Sequence, residues 1–189
     1  MKFHNPKWKT HRVKEVFQLP EDSVVKVSGW VHTVRDLGGI VFLILRDSDG
    51  LIQVVASKSD LGNEYFEKFR ELRPETVVSI EGRVKKSSKA PGGVEIRASS
   101  VEILNRASVP LHLEPAGRSK LTLDERLDNR VIDLRKPRNM AIFKFQSALL
   151  KYMREFLNEN GFIEVFTPKL IATATEGGAA LFPIAYFDM

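Results

Sequence analysis

The chain of 189 residues contains no cysteine, which excludes disulfide bonds and thiolate metal sites. Its four histidines, at positions 4, 11, 32 and 112, lack the spacing of a metal site. No apolar run reaches the length of about 18 residues that a membrane helix needs, and no leader with a small-residue cleavage site is visible. These absences predict a soluble, cytoplasmic protein.

Positive charge is in modest excess. Lys and Arg number 29 and Asp and Glu 24, which gives a net charge of +5. Such an excess permits a polyanionic partner without demanding one. The apolar fraction of 43% is enough for one packed domain and part of a second.

Alternation of apolar and polar residues predicts β-strands in the first half of the chain. Three strands are expected: the first begins at residue 24, the second covers 40–46 and the third covers 51–56. Turn signals at 36–39 and 47–50 separate them. A helix is expected at 60–73, with Leu61, Tyr65, Phe69 and Leu72 on its apolar side, and two further strands at 76–85 and 94–104. This order is that of a five-stranded oligonucleotide/oligosaccharide-binding (OB) barrel.

Three side chains of the predicted barrel combine an aromatic ring, a cation and an amide. Alternation places Phe42 and Arg46 of the second strand opposite its core face, and Gln53 of the third strand also outside. A ring that stacks a base, an amide that reads its edge and a cation for phosphate are what single-stranded RNA recognition uses. The alternative is that Phe42 is a core residue and that Arg46 and Gln53 are merely solvated.

The remainder of the chain is predicted to be mostly helical. Residues 105–134 look irregular, an amphipathic helix is expected at 137–160, and a short strand at 163–166 follows Asn160-Gly161. We therefore expect a barrel domain at 1–108, a linker or hinge at 109–134, and the start of another domain at 135–189.

Residues 20–110 as a whole resemble the anticodon-binding barrel of the aspartyl-tRNA synthetase family, archaeal and eukaryotic type. The resemblance is carried by GWVHTVRDLGGIVFLILRDSDGLIQVV and PGGVEIRA. It implies that Phe42 stacks on an anticodon base, that Gln53 contacts the central uridine, and that Glu95 also contacts the anticodon. It further implies phosphate or base contacts from Arg35 and Arg46. The implied fold is mainly β plus α+β: the OB barrel, then the start of a class II antiparallel α/β catalytic domain.

Two positions depart from family members that accept only the aspartate tRNA. Those members tend to have tryptophan where this chain has His32, and lysine where it has Pro91. The resemblance implies a nondiscriminating enzyme that charges both tRNA(Asp) and tRNA(Asn), since the two anticodons differ in one pyrimidine. Alternatively, His32 is a surface residue and Pro91 only shapes a Pro-Gly-Gly turn.

The segment RLDNRVIDLRKP resembles the start of the catalytic domain in aspartyl members, which favours aspartate over asparagine as substrate. Its plain interpretation is a charged helix cap with local ion pairs, each worth under about 1 kcal/mol. An asparaginyl-tRNA synthetase is the alternative within the family.

Residues 156–189 resemble the first class II motif and the loop that follows it. The resemblance implies a homodimer with Pro168 at the interface, and a contact between Glu176 and the α-ammonium group of aspartate. Gly177 and Gly178 would let the loop change conformation.

The second and third motifs of the family, whose arginines hold ATP, are not found in these 189 residues. We expect no catalytic residue in this chain, ATP and Mg²⁺ in the full-length enzyme, and no cofactor bound to the chain. These 189 residues alone are expected not to form aspartyl-adenylate, which ATP–pyrophosphate exchange would test. The alternatives from other classes are a freestanding tRNA-binding or RNA-binding module and a purely structural fragment.

Overall fold

The structure of the protein is a computed structural model that describes residues 7–108, 111, 115–116 and 121–168. The chain divides into two compact units, residues 1–139 and 140–189, which are described separately below. Within the described ranges, no helix is both long and apolar enough to cross a membrane.

Five strands and five helices make up the described structure. In chain order they are α1 (Val13–Val16), β1 (Val24–Asp36), β2 (Ile40–Arg46), β3 (Leu51–Ser57), α2 (Lys58–Arg70), β4 (Val77–Lys86), β5 (Val94–Asn105), α3 (Leu123–Asp128), α4 (Arg130–Asp133) and α5 (Pro137–Glu159). A short 3₁₀ turn at Pro91–Gly93 precedes β5. The predicted barrel strands agree with these bounds within one or two residues at the ends.

The five strands close into a barrel in the order β1-β2-β3-β5-β4. The long β1 pairs with β4 through its first half and with β2 through its second half, while β3 and β5 run parallel. This arrangement confirms the predicted OB barrel, whose loops and outer strand face hold ligands in that fold.

The barrel core follows the predicted alternation. Val41, Leu43 and Leu45 of β2 are fully buried, and so are the alternate valines of β1. The helix α2 closes one end with Phe66 and Phe69. The expectation for Tyr65 is wrong: it is 40% exposed, because the buried face of this helix is centred on Phe66 and Phe69, three residues apart, and Tyr65 lies about 100° around the helix from Phe66.

One glycine in the barrel wall is required by a close approach of backbones. A Cβ on Gly29 would lie 2.2 Å from the carbonyl oxygen of Arg46. Any side chain there would push β1 away from β2, so the position where β1 changes its partner strand needs glycine.

The N-terminal segment packs beside the barrel. The hydroxyl groups of Ser28 and Ser79 both donate to the carbonyl oxygen of Trp8. The carboxylate of Asp47 accepts hydrogen bonds from Lys9 Nζ at 2.7 Å and from the Val13 amide at 3.0 Å.

Residues 121–139 are more ordered than the sequence predicted. Thr122 caps α3 with a reciprocal capping box to Glu125, and α4 follows directly. Asp133 is completely buried and binds Arg126, Arg130 and the side-chain amide of Asn139. The local ion pairs expected in this stretch do form at Asp133, but they are buried there, so the value of under about 1 kcal/mol that applies to exposed pairs does not hold for it. The division at residues 108 and 134 stays a prediction.

The helix α5 confirms the predicted helix at 137–160, and Gly161 ends it in the left-handed region (φ 84°). The strand expected at 163–166 does not form, because no strand of the described residues lies beside it to complete a hydrogen-bonded ladder. Several large apolar side chains of α5 are exposed, including Phe145, Leu149, Tyr152 and Phe156.

Candidate nucleic-acid interface

A groove of about 550 Å³ runs over the outer face of the barrel. Neighbouring strands contribute to it in register: Arg35 of β1 pairs with Phe42 of β2, and Gln53 of β3 pairs with Glu95 of β5. The complete lining is Thr33, Arg35, Leu37, Ile40, Phe42, Ile44, Gln53, Val55, Ser87, Lys89, Glu95 and Arg97. We call this surface the barrel groove.

The floor of the barrel groove is apolar, with a half-buried aromatic ring. Phe42 is not one of the buried core residues, and its register partner on β3, Val55, is only 4% exposed. Ile40 and Leu37 beside it are 38% and 56% exposed. Such a floor gives a flat base an apolar surface and a ring to stack on.

A polar pair lies next to this floor. Gln53 Nε2 donates to Glu95 Oε2 over 2.8 Å, across the parallel β3–β5 pairing. Both side chains are half-buried. The structure thus brings together Phe42, Gln53 and Glu95, three residues that the resemblance implied for anticodon contact.

A β-bulge decides that Arg35 also belongs to the barrel groove. The β1–β2 register shifts between Val31 and Thr33, so that His32 is the extra residue. Before the bulge the odd-numbered residues of β1 face the core, and after it Val34 does. Without that shift, Arg35 would point inward.

Cations outnumber acids along the barrel groove. Its lining contains Arg35, Lys89 and Arg97 but only one carboxylate, Glu95. Arg97 has an exposed pair with Asp60 at 3.4 Å, whereas Arg35 and Lys89 have no ion-pair partner within the described part of the chain. Two exposed, unpaired cations beside a stacking ring suit a phosphate backbone.

Arg46 does not line the barrel groove, and the alternative that it is merely solvated is wrong. Its side chain is covered, and Arg46 Nη2 donates to both oxygens of Glu75 at 2.7 and 2.9 Å. Arg135 Nη1 binds the same carboxylate at 2.6 Å, and both guanidinium groups lie near the ring of Trp30. We call Trp30, His32, Arg46, Glu75 and Arg135 the ion-pair cluster. A direct RNA contact by Arg46 stays a prediction.

His32 belongs to the ion-pair cluster as well. Its Nδ1 lies 3.0 Å from Arg46 Nη1, which can only donate, so Nδ1 is the acceptor and His32 is neutral. Burial lowers the pKa of His32, and the nearby positive charge of Arg46 lowers it further, although Glu75 acts in the opposite direction.

The other predicted site residues lie elsewhere. Pro91 is exposed in the 3₁₀ turn after β4, and it does not line the barrel groove although Ser87 and Lys89 of the same loop do. Pro168 is exposed. Glu176 lies outside the described residues.

Sequence reasoning missed three residues. Arg97 could have been found, since it lies two positions after Glu95 and therefore on the same strand face. Lys89 had no pattern beyond its place in a Gly/Pro loop, and Glu75 had none at all.

The described residues do not fit a metal site. They contain no cluster of three or more His, Cys, Asp or Glu side chains that could hold an ion.

Two family models match the chain. The model described as an OB-fold nucleic acid binding domain matches residues 25–104, and the model described as tRNA synthetases class II (D, K and N) matches residues 122–187. The chain thus combines a segment similar to an OB-fold nucleic acid binding domain with a segment similar to class II tRNA synthetases. The family resemblance and the fold expected from the sequence are thereby confirmed.

Curated relatives agree with this family. An aspartate–tRNA(Asp) ligase of Thermococcus kodakarensis is 50% identical over 181 residues, which are 96% of this chain and 41% of that protein. An aspartate–tRNA(Asp/Asn) ligase of Methanothermobacter thermautotrophicus is 49% identical over 95% of this chain and 41% of its own length. The chain thus spans about two fifths of these relatives.

A solved structure shares the fold. The asparaginyl-tRNA synthetase of Pyrococcus horikoshii, in complex with asparaginyl-adenylate, matches with a TM-score of 0.83 and 37% identity. The match covers 94% of this chain and 41% of that one. Identity to the aspartate ligases is higher, so the asparaginyl alternative is not favoured.

Proposed function

We propose that the barrel groove binds the anticodon of a tRNA, as the decoding part of an aspartate–tRNA ligase. The observation that carries this proposal is the convergence of a stacking ring, an amide–carboxylate pair and unpaired cations in one groove. The match of residues 25–104 to a nucleic-acid-binding domain supports it independently.

Each part of the barrel groove has a chemical role in this proposal. Phe42 stacks on one anticodon base, and Gln53 reads the edge of the central uridine beside Glu95. Arg35 and Lys89 neutralise phosphates of the loop. Shape and stacking recognise unpaired bases that a duplex would hide.

The parent activity is the ligation of aspartate to tRNA, which the curated relatives carry in their names. In the full-length enzyme a carboxylate oxygen of aspartate would attack the α-phosphorus of ATP and pyrophosphate would leave. A ribose hydroxyl of the tRNA would then attack the aspartyl carbonyl and AMP would leave. ATP and Mg²⁺ are the cofactors implied by the family match. Glu176 would bind the α-ammonium group of aspartate, and the cytoplasm, where tRNA is charged, is the proposed location.

The proposed tRNA range covers tRNA(Asp) and tRNA(Asn). Relatives of both kinds exist at nearly equal identity, one named for tRNA(Asp) and one for tRNA(Asp/Asn), so identity alone does not separate them. His32 and Pro91 support the broader range through the family resemblance. Aminoacylation of both purified tRNAs by the full-length enzyme tests this, and a strong preference for tRNA(Asp) would refute it.

We also propose a homodimer that uses α5 and Pro168. The exposed apolar side chains of α5 support it, since large exposed apolar patches mark association sites. Light scattering on the purified protein tests this. A dimer mass would support the proposed homodimer, and a monomer mass would refute it.

The direct test of anticodon binding uses Phe42→Ala and an anticodon stem-loop with the aspartate anticodon, followed by fluorescence anisotropy. Loss of stacking is expected to weaken binding by roughly 1–3 kcal/mol, or about 5- to 150-fold. Tyr65→Ala is the matched control, because Tyr65 is an exposed aromatic of α2 that does not line the barrel groove. Equal affinities for both variants and the unmodified chain would refute the proposal.

A further inference from the structure

We propose that Glu95 is a positioning residue, which fixes the side-chain amide of Gln53 in one orientation and thereby lets the barrel groove separate uracil from cytosine. This inference rests on the proposed function, because it assumes that an unpaired base docks beside Gln53. It adds a separate role for Glu95 that does not require Glu95 to touch the base.

The geometry restricts the amide. Gln53 and Glu95 are register neighbours on the parallel strands β3 and β5, and Gln53 Nε2 lies 2.8 Å from Glu95 Oε2. An ionised carboxylate can only accept hydrogen bonds, so the nitrogen end of the amide must face it. The flipped amide would place Gln53 Oε1 against a carboxylate oxygen. That orientation is disfavoured because both oxygens are acceptors with negative charge and repel each other.

No second polar contact competes for the amide. Within the described residues, the bond to Glu95 is the hydrogen bond that the Gln53 side chain makes. Its register partner on β2 is the apolar Ile44, and Phe42 and Val55 lie along the same groove. Glu95 therefore sets the orientation, and Oε1 and the second amide hydrogen remain available to a ligand.

Uracil and cytosine differ in a way that a fixed amide can read. On its pairing edge, uracil presents two neighbouring groups: an N–H donor at position 3 and a carbonyl acceptor at position 4. Cytosine presents an acceptor at position 3 and an amino donor at position 4. A primary amide with one donor and one acceptor can satisfy either base if it can exchange its ends. An amide that is held in one orientation satisfies one base and leaves unmatched groups with the other.

The test uses the full 189-residue chain, two variants of Glu95, and anticodon stem-loops that differ only in having uracil or cytosine at the central position. Dissociation constants are measured by fluorescence anisotropy, and the readout is the ratio of the two constants for each protein. The unmodified chain is expected to favour uracil by at least about fivefold. In Glu95→Gln the amide of residue 95 accepts either end of Gln53, so the ratio is expected to fall below about twofold. The absolute affinities are free to change with the lost charge.

Glu95→Asp is the second variant, which keeps the negative charge but withdraws the carboxylate by one methylene group. It is also expected to lower the ratio. Glu102→Gln is the matched control, because Glu102 is an exposed carboxylate on the same strand and does not line the barrel groove. It should keep the ratio of the unmodified chain. Circular dichroism of each variant verifies the fold, and Glu95→Asp decides the question if Glu95→Gln does not fold.

The outcomes separate the inference from the proposed function. If the unmodified chain binds no stem-loop, both are overturned. If it binds but does not distinguish the two bases, the proposed function stands and the inference is wrong. If a folded Glu95 variant loses affinity for both stem-loops equally and keeps the ratio, Glu95 is a direct contact or a charge effect, and its positioning role is refuted.

Discussion

Two arginines of neighbouring strands end in opposite environments. Arg35 is exposed in the barrel groove without an ion-pair partner among the described residues, whereas Arg46 is 6% exposed and fully engaged by the ion-pair cluster. A solvated cation such as Arg35 is stable without a partner and remains available to a phosphate. A desolvated cation such as Arg46 must be paired, because burial of a lone charge costs several kcal/mol.

The comparison shows that the same residue type serves two purposes on one barrel. Arg46 and Arg135 share the carboxylate of Glu75, which joins β2, the turn before β4 and the segment after α4. Both bonds span distant parts of the sequence within the first unit. The ion-pair cluster is therefore a structural element of the barrel wall, and the barrel groove is the surface that remains open to a ligand.

The largest effect is expected from Glu75→Gln. Removing this charge leaves Arg46 buried and unbalanced, which should lower the free energy of unfolding by about 3–5 kcal/mol. Urea denaturation followed by circular dichroism measures this quantity.

The matched control for that experiment is Glu64→Gln. Glu64 pairs with Lys68 on the surface of α2, and its side chain is 80% exposed, so the same chemical change should cost less than about 1 kcal/mol. If the two variants are equally stable, the ion-pair cluster contributes nothing beyond a surface pair, and the contrast with Arg35 disappears.

An intermediate effect is expected from Arg35→Gln, and on binding instead of stability. Loss of one phosphate contact should weaken stem-loop binding several-fold and reduce the slope of log affinity against log salt by about 0.7–1. The free energy of unfolding should change by less than about 0.5 kcal/mol, since an exposed side chain without a partner is removed. Anisotropy titrations at several salt concentrations, combined with denaturation, measure both.

Arg46→Gln is the counterpart of Arg35→Gln in the ion-pair cluster. It should lower stability because Glu75 loses a partner in a buried site. A weaker salt dependence together with unchanged stability in Arg46→Gln would show that the two arginines had been assigned the wrong way round.

The smallest effect is expected from the titration of His32. Its folded-state pKa is lowered, chiefly by burial and also by Arg46, so the unfolded chain binds the proton more readily. Stability should therefore fall as the pH drops through about 6.5, the ordinary value for histidine, and continue to fall until the lower folded-state pKa is reached. His32→Gln keeps an acceptor for Arg46 and should lack this part of the pH dependence. Identical profiles of stability against pH for the two proteins would contradict the assignment.

The barrel was largely predictable because its signals are local. Period-two alternation in β2 placed Val41, Leu43 and Leu45 inside, and turn residues marked the strand ends. The error at Tyr65 arose because Tyr65 and Phe66 both lie one helical turn before Phe69, and the apolar period alone does not decide which of the two faces the core.

The candidate site was less predictable, because its members come from separate strands. Alternation and the family resemblance indicated Phe42, Gln53 and Glu95, and the structure brings them together. The same reasoning offered Arg46 as an RNA contact or as a solvated side chain and did not foresee its ion pairs, since its partners Glu75 and Arg135 are far away in sequence. In the segment 121–134 the Thr122–Glu125 capping box is a local signal of the start of α3 that the reading of this segment as irregular overlooked. The burial of Asp133 against Arg126 and Asn139 has no such local signal.

Side-chain chemistry and short-range periodicity were sufficient to locate the strands, the closing helix and the residue types that suit RNA, because these depend on neighbours along the chain. Barrel closure decided the rest. It introduced the bulge at His32 that turns Arg35 outward, brought Glu95 within hydrogen-bonding distance of Gln53, and buried Arg46 against Glu75. Each of these outcomes depends on which strands and segments become neighbours in space, and that is set only when the whole barrel is packed.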